Sequence, residues 1–187
     1  MLSEHGVQVI SGLAKGIDAD AHKGSLEAEG DTFAVLGSGI DVCYPKEHKY
    51  LYEKIVENGG VISEYPPSTS PMPWQFPARN RIISGLSDCV VVIEAKEKSG
   101  SLITADFAME QGKDVYALPG RITDPLSKGC NKLIKQGAGV LESVEDFLLD
   151  LNVLTELSYT QMDFRKNILE KDERLVYSLT DFPRDNA

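Results

Sequence analysis

The sequence predicts an α/β chain: a doubly wound, mostly parallel sheet followed by a short helical C-terminal remnant. Short apolar runs alternate with helical patterns along most of the 187 residues, and repeated strand–helix order implies parallel strands joined by helical crossovers. The run Val90-Val91-Val92-Ile93 is apolar without interruption, as a central strand covered on both faces requires. Hydrophobic residues at 42% and charged residues at 26% are ordinary globular usage and argue against disorder.

Taken in order, Val7 to Ile10 reads as a strand, followed by an Ala-rich helix from Ile17 to Glu29. Thr32 to Leu36 is the next strand, ending at Gly37. Lys49 to Glu57 has a helical pattern, and Asn58-Gly59-Gly60 stops it. Val61 to Ser63 is a short strand leading into Tyr65 to Pro73, where four prolines in nine residues exclude regular structure and make a stiff loop. Asn80 to Leu86 then reads as a helix, Cys89 to Ile93 as a strand, and Leu102 to Gln111 as a helix closed by Gly112. Val115 to Leu118 is a strand stopped by Pro119-Gly120, and Cys130 to Lys135 and Ser143 to Leu151 read as helices. Beyond residue 152 the chain turns polar, with one amphipathic pattern over Ile168 to Leu179. The predicted division is a domain over residues 1–151, then a linker and the start of a second domain over 152–187.

Composition excludes several classes. No apolar run approaches the ~20 residues of a membrane span, and Met1 to His5 lacks the basic and apolar regions of a secretory signal. Cys43, Cys89 and Cys130 stand far apart and odd in number. That disfavours a disulfide framework and a zinc site and suits a reducing cytoplasm. The net charge of −10 argues against a polyanion partner until its distribution is read. Residues 1–75 and 137–187 each carry five basic against eleven acidic residues, whereas 76–136 carry nine against seven. A polyanion would have to bind that middle segment.

Ligands of a parallel sheet gather where strand carboxyl ends meet helix N-termini. Four such junctions stand out. Ser11-Gly12-Leu13-Ala14-Lys15-Gly16 is either an ordinary strand–helix turn or a phosphate-holding one. Gly37-Ser38-Gly39-Ile40-Asp41 begins like a dinucleotide fingerprint, but Val42 replaces its third glycine and Tyr44-Pro45 breaks the helix, so no NAD or other cofactor is expected. Phe76-Pro77-Ala78-Arg79-Asn80-Arg81 enters a helix from the proline-rich loop beside Trp74. Aromatic faces next to guanidinium groups suit single-stranded nucleic acid, although large aromatics also anchor loops in cores. Arginines at a helix N-terminus oppose the macrodipole, which argues that they serve a ligand. Ser99-Gly100-Ser101-Leu102-Ile103-Thr104 forms a phosphate nest or a simple N-cap, with Lys96 and Lys98 nearby. Asp18 and His22, four apart, read as a salt-linked surface pair or a capping group in preference to a catalytic pair. No G-x-S-x-G, H-E-x-x-H or G-x-x-x-x-G-K-[ST] motif occurs, so hydrolase, zinc-protease and ATPase readings lack their anchors.

Together these segments resemble the DNA-processing protein A (DprA, or Smf) family. The resemblance rests on Ser11 to His22, on Gly37 to Asp41 with Tyr44-Pro45, and on Ser63-Glu64-Tyr65-Pro66. Phe76 to Ser87, Glu94 to Ala105 and Pro119-Gly120 also match, in the family's order, so that about residues 5 to 150 are covered. It implies a Rossmann-like domain that binds single-stranded DNA without sequence preference, protects incoming DNA in natural transformation, helps load the RecA recombinase, and forms a homodimer. It implies no enzymatic activity and no metal. Carried onto this chain, the DNA pocket comprises Ser11, Gly12, Phe76, Arg79, Asn80, Arg81, Ser99, Gly100 and Ser101. Arg79 and Arg81 would meet phosphate, Phe76 a base, and the serines and glycines would donate hydrogen bonds to phosphate oxygens.

The chain departs from the family pattern at both ends. A first strand ending in G-S-R is missing; in the usual order it lies near the sheet centre, so its loss should expose a strand edge. The winged-helix domain of many members is represented at most by Ile168 to Leu179. The expectation is a fragment with weaker DNA affinity and lower stability than a full-length relative, its affinity falling steeply with salt. The alternative is a nucleoside-monophosphate N-glycosidic hydrolase of a related Rossmann-like family. No glutamate follows Lys98-Ser99-Gly100-Ser101 within the first helical turn, and that disfavours it.

Overall fold

The computed structural model describes residues 1–154, so the pattern over Ile168 to Leu179 lies outside the described residues. The described chain divides into two compact units, one covering Met1–Glu142 and one beginning at Ser143. The α/β class holds, and every strand pairing is parallel.

The first unit carries six strands in two three-stranded sheets. Strands β1 (Val9–Ser11), β2 (Thr32–Leu36) and β3 (Gly59–Ser63) form one in that order, and β4 (Cys89–Val92), β5 (Asp114–Ala117) and β6 (Gly139–Val140) form the other. Helices α1 (Ile17–Glu27) and α2 (Lys49–Glu57) cross over within the first sheet, α4 (Gly100–Glu110) and α5 (Lys128–Lys135) within the second. Helix α3 (Gln75–Leu86) links the two halves, packing chiefly on α4 and also touching β1 and β2. Each sheet has its own apolar cluster. Leu13, Ala34, Leu36, Leu51 and Ile55 are buried together in the first, and Val90, Val92, Ala105, Val115, Cys130 and Leu133 in the second.

Local chemistry explains where the elements stop. Residues 58–60 end α2 as expected, yet Gly59 also opens β3. Its φ is 150°, and a Cβ there would lie 2.0 Å from the Thr32 carbonyl oxygen, so only glycine permits that approach. Helix α3 begins five residues before the predicted start at Asn80. Pro77 falls in its first turn, where a missing N–H costs nothing.

The uninterrupted apolar strand β4 pairs with β5 alone, and β1 with β2 alone, among the described residues. The central place expected for β4 is therefore an edge, and the parallel order is interrupted between β1 and β4. No described helix is long and apolar enough to cross a membrane.

The second unit contributes α6 (Val144–Asp150). Ser143 caps it by accepting the Asp146 N–H at 3.0 Å.

Candidate nucleic-acid interface

A cavity of about 480 Å³ opens where the carboxyl ends of β1 and β4 face α3 and the N-terminus of α4. Ser11, Gly12, Phe76, Arg79, Asn80, Gly100 and Ser101 line it, whereas Arg81 and Ser99 do not. Lys15, Asp18 and Tyr44, which the sequence reading did not assign to it, are among the other residues that border it.

The turn after β1 is closed by the first helical turn that follows. Asp18 Oδ2 accepts the backbone N–H of Gly12 at 3.0 Å and of Ala14 at 3.3 Å. The Gly12 amide, expected to donate to phosphate, already faces an internal carboxylate. His22 is not a surface partner of Asp18, because it is fully buried. Thr32 donates its hydroxyl to the Val9 carbonyl at 2.9 Å, so His22 Nδ1–H donates to Thr32 Oγ1 at 2.6 Å, and Nε2 has no partner. Burial, with smaller contributions from Arg79 and His48 against Asp18, lowers the His22 pKa to about 4.

Helix α3 presents Phe76, Arg79, Asn80 and Ile83 to the cavity, the i, i+3, i+4, i+7 stripe of one helical face. Arg79 sits in the second turn and is only 4% exposed. The macrodipole argument for a ligand therefore fails for it. Its Nη1 donates to the Gly12 carbonyl at 2.9 Å and to the Val35 carbonyl, and its Nε to Asn80 Oδ1 at 3.2 Å. Gly12 is glycine for this reason: a Cβ there would lie 2.5 Å from Arg79 Nη2. Burial lowers the Arg79 pKa, and Asp18 opposes the shift. Asn80 Nδ2 donates to the Gly100 carbonyl at 3.3 Å, tying α3 to the start of α4.

The half-buried ring of Phe76 packs 5.5 Å from that of Tyr44, centroid to centroid, and the Arg79 guanidinium carbon lies 6.0 Å from the Phe76 centroid. Trp74 is 63% exposed and meets Tyr65 edge-on at 6.2 Å. It is neither a core anchor nor part of the cavity wall.

At the fourth junction Ser99 does not cap α4; its hydroxyl bonds that of Ser101 at 2.8 Å. The side chain most suited to capping thus leaves the first amides of α4 to other acceptors. A Cβ on Gly100 would meet nothing within 4 Å, so the space beside its Cα is open. Ser99 borders a separate, smaller cavity of about 230 Å³ beside Lys98. Arg81 is half-exposed and ion-paired with Glu64. Lys15, at the mouth, pairs with Glu47 at 2.8 Å, and that carboxylate raises the lysine's pKa.

The model of the family described as DNA recombination-mediator protein A matches residues 1–152. DNA processing protein DprA of Streptococcus pneumoniae is 51% identical over 147 residues, which make up 79% of this chain and 52% of that protein. Its crystal structure superimposes with a TM-score of 0.74 over 78% of this chain and 52% of the other. DprA of Bacillus subtilis is 48% identical over 143 residues, 76% of this chain and 48% of the relative. A structure of DNA processing protein A from Helicobacter pylori, which addresses that protein's single-stranded DNA binding mode, has a TM-score of 0.74 at 32% identity and covers 80% of this chain and 68% of that one. The chain spans about half the length of the curated relatives it matches. From the ordered motifs and this agreement, the chain belongs to the DNA recombination-mediator protein A family, the DprA/Smf proteins.

Proposed function

We propose that this chain binds single-stranded DNA without sequence preference through the cavity mouth. The observation that carries the reading is the meeting, in one cavity, of the Phe76 ring with Gly100 and Ser101 at the start of α4, a helix without a side-chain cap. A base stacks on an aromatic face whatever its identity, and helix N-terminal amides donate hydrogen bonds to a phosphate. The single-stranded DNA binding described for the Helicobacter relative supports the same chemistry. Phe76 takes the base, Gly100 and Ser101 the phosphate, and Ser11 and Lys15 the flanking backbone. Asn80 and Arg79 hold these groups in place: Arg79 is buried against carbonyls and acts as a positioning residue in place of the surface cation first expected. Ser99 and Arg81, outside the lining, are proposed to meet the strand beyond the mouth.

In this reading the protein acts in the cytoplasm, protects incoming DNA, assists RecA loading, works as a homodimer and catalyses no reaction. The hydrolase alternative loses further ground. Asp18 is the carboxylate that borders the cavity, and it is engaged by two backbone amides.

Titration of labelled oligo-dT, oligo-dC and a duplex of equal length at two salt concentrations tests the reading. Phe76→Ala is expected to weaken both oligonucleotides alike, by the ~1–3 kcal/mol of one stacked base. Each phosphate neutralised should contribute about −0.7 to the logarithmic salt slope. Equal affinity for the duplex, or an unchanged Phe76→Ala variant, overturns it. Release of free base from AMP would establish the hydrolase instead.

A further inference from the structure

We propose that Trp74 and Tyr65 form a second stacking platform for single-stranded DNA, outside the cavity, where a base of the strand rests after the strand leaves Phe76 and Arg81 holds the adjoining phosphate. The first observation is an exposed aromatic pair that the fold does not use. Trp74 is 63% exposed, although a ring of that size adds more to stability buried than most side chains. It meets the half-buried Tyr65 edge-on, with ring planes at 78° and centroids 6.2 Å apart. The two rings do not stack on each other, and the indole keeps surface free for a third.

The second observation is how firmly the pair is mounted. Tyr65 donates its backbone N–H to Ser63 Oγ at 3.0 Å. On the other side, Met72 donates its N–H to Gln75 Oε1, and Gln75 donates its N–H to the Met72 carbonyl at 3.0 Å. Gln75 is itself buried, at 2% exposure. Trp74 stands between these two mutually bonded residues, at the end of a segment with four prolines in nine residues. An aromatic side chain on a stiff mount has little ordering entropy to lose when a ligand arrives.

The ligand follows from what adjoins the pair. Arg79 lies 6.0 Å from the Phe76 centroid, and Tyr65 is near enough to Arg79 to counter part of the burial that lowers the arginine's pKa. Phe76, Arg79, Tyr65 and Trp74 therefore run in series from the cavity mouth around the start of α3. Trp74 already has helical backbone angles, and Arg81, seven residues on, falls on the same face of the helix. Its ion pair with Glu64, the chain neighbour of Tyr65, is half-exposed. Such pairs contribute little, so the guanidinium can turn to a phosphate. Aromatic faces beside a guanidinium suit a single strand of any sequence, whereas a duplex keeps its base faces stacked inside. The series with Phe76 selects a nucleic-acid strand over a peptide, because bases recur along such a strand as the rings do along the row.

This inference rests on the mouth reading, and Trp74, the single tryptophan, lets the two be tested apart. The full chain is titrated with unlabelled oligo-dT of about 12 nucleotides, within the usual site sizes, while Trp74 emission is followed. Anisotropy of the same oligonucleotide, labelled, gives the affinity in parallel. Emission is expected to be quenched with the midpoint that anisotropy reports, and to stay unchanged with a duplex. Trp74→Ala should weaken oligo-dT and oligo-dC alike, by about 5- to 150-fold for one stacked base, with Trp74→Phe recovering most of the loss. Thermal melts by circular dichroism establish that both variants fold. Unquenched emission at saturating oligo-dT, or undiminished affinity of Trp74→Ala, overturns the platform. So does emission that shifts with protein concentration in place of DNA, which would make this face an interface between copies. If Phe76→Ala is weakened in the same titrations, those failures leave the mouth standing. An unchanged Phe76→Ala beside a weakened Trp74→Ala would overturn the mouth and support the platform.

Discussion

The tie between Gly12 and Arg79 can be tested as a coupling energy. Arg79→Ala orphans the carbonyls of Gly12 and Val35 in a site where the guanidinium is 4% exposed. A buried acceptor left unsatisfied costs about 1–3 kcal/mol, so two predict a loss of about 2–6 kcal/mol out of the ~5–15 kcal/mol typical of a domain. Gly12→Ala reaches the same place from the other side. Its Cβ would lie 2.5–2.7 Å from three guanidinium atoms, and the arginine must withdraw from its carbonyls. Gly12 is not among the residues with left-handed backbone, so the substitution has no conformational penalty of its own. Once Arg79 is replaced by alanine, the clash is gone. Adding Gly12→Ala to that background should then be neutral, or stabilising by the ~0.4–1 kcal/mol gained from a stiffer unfolded chain. The double-mutant cycle should therefore show about 2–3 kcal/mol of coupling. Urea unfolding of the four proteins, followed through the single tryptophan Trp74, measures it. Additivity within about 0.5 kcal/mol would refute the idea that Gly12 is glycine because of Arg79.

Three further outcomes are expected. Arg81→Ala removes a half-exposed ion pair with Glu64 and should change stability by less than about 1 kcal/mol, with a smaller loss of oligo-dT affinity than Phe76→Ala. His22 is held neutral in the folded state, its pKa down at about 4 from 6.5. The unfolded chain binds the extra proton between those values, so stability should be full above about pH 6.5 and decline by about 3 kcal/mol as the pH falls to 4; urea midpoints of His22→Gln that fall just as far over that range would contradict this. Gly100→Ala has room for its methyl and a helical position, so thermal stability should rise by up to about 1 kcal/mol while oligo-dT affinity falls, and an unchanged affinity would remove phosphate from the start of α4.

Much of the fold is legible in short-range signals. The sequence bounds Thr32–Leu36 and Lys49–Glu57 correctly because Gly37 and Asn58-Gly59 punctuate them. The start of α3 is hidden because Pro77 reads as a breaker, although a first-turn proline is compatible with a helix. Strand β6 is two residues long, Gly139–Val140, and has no periodicity to find. In the site, the Phe76, Asn80 and Gly100 neighbourhood follows from junction chemistry that any parallel sheet shares. The burial of Arg79 does not, because its acceptors lie 67 and 44 residues away in the chain. No local pattern distinguishes an arginine that grips carbonyls from one that waits for phosphate. The same holds for Asp18, whose occupation of the Gly12 and Ala14 amides becomes visible only once the turn is built.

These long-range contacts explain how the mouth keeps its shape although the sheet is divided beneath it. Arg79 joins the end of β1, through Gly12, to β2, through Val35. Its neighbour Asn80 joins the same helix to Gly100 at the start of α4. Among the described elements, α3 thus spans both halves above the gap, and the shape of the mouth follows from where that helix places Arg79 and Asn80.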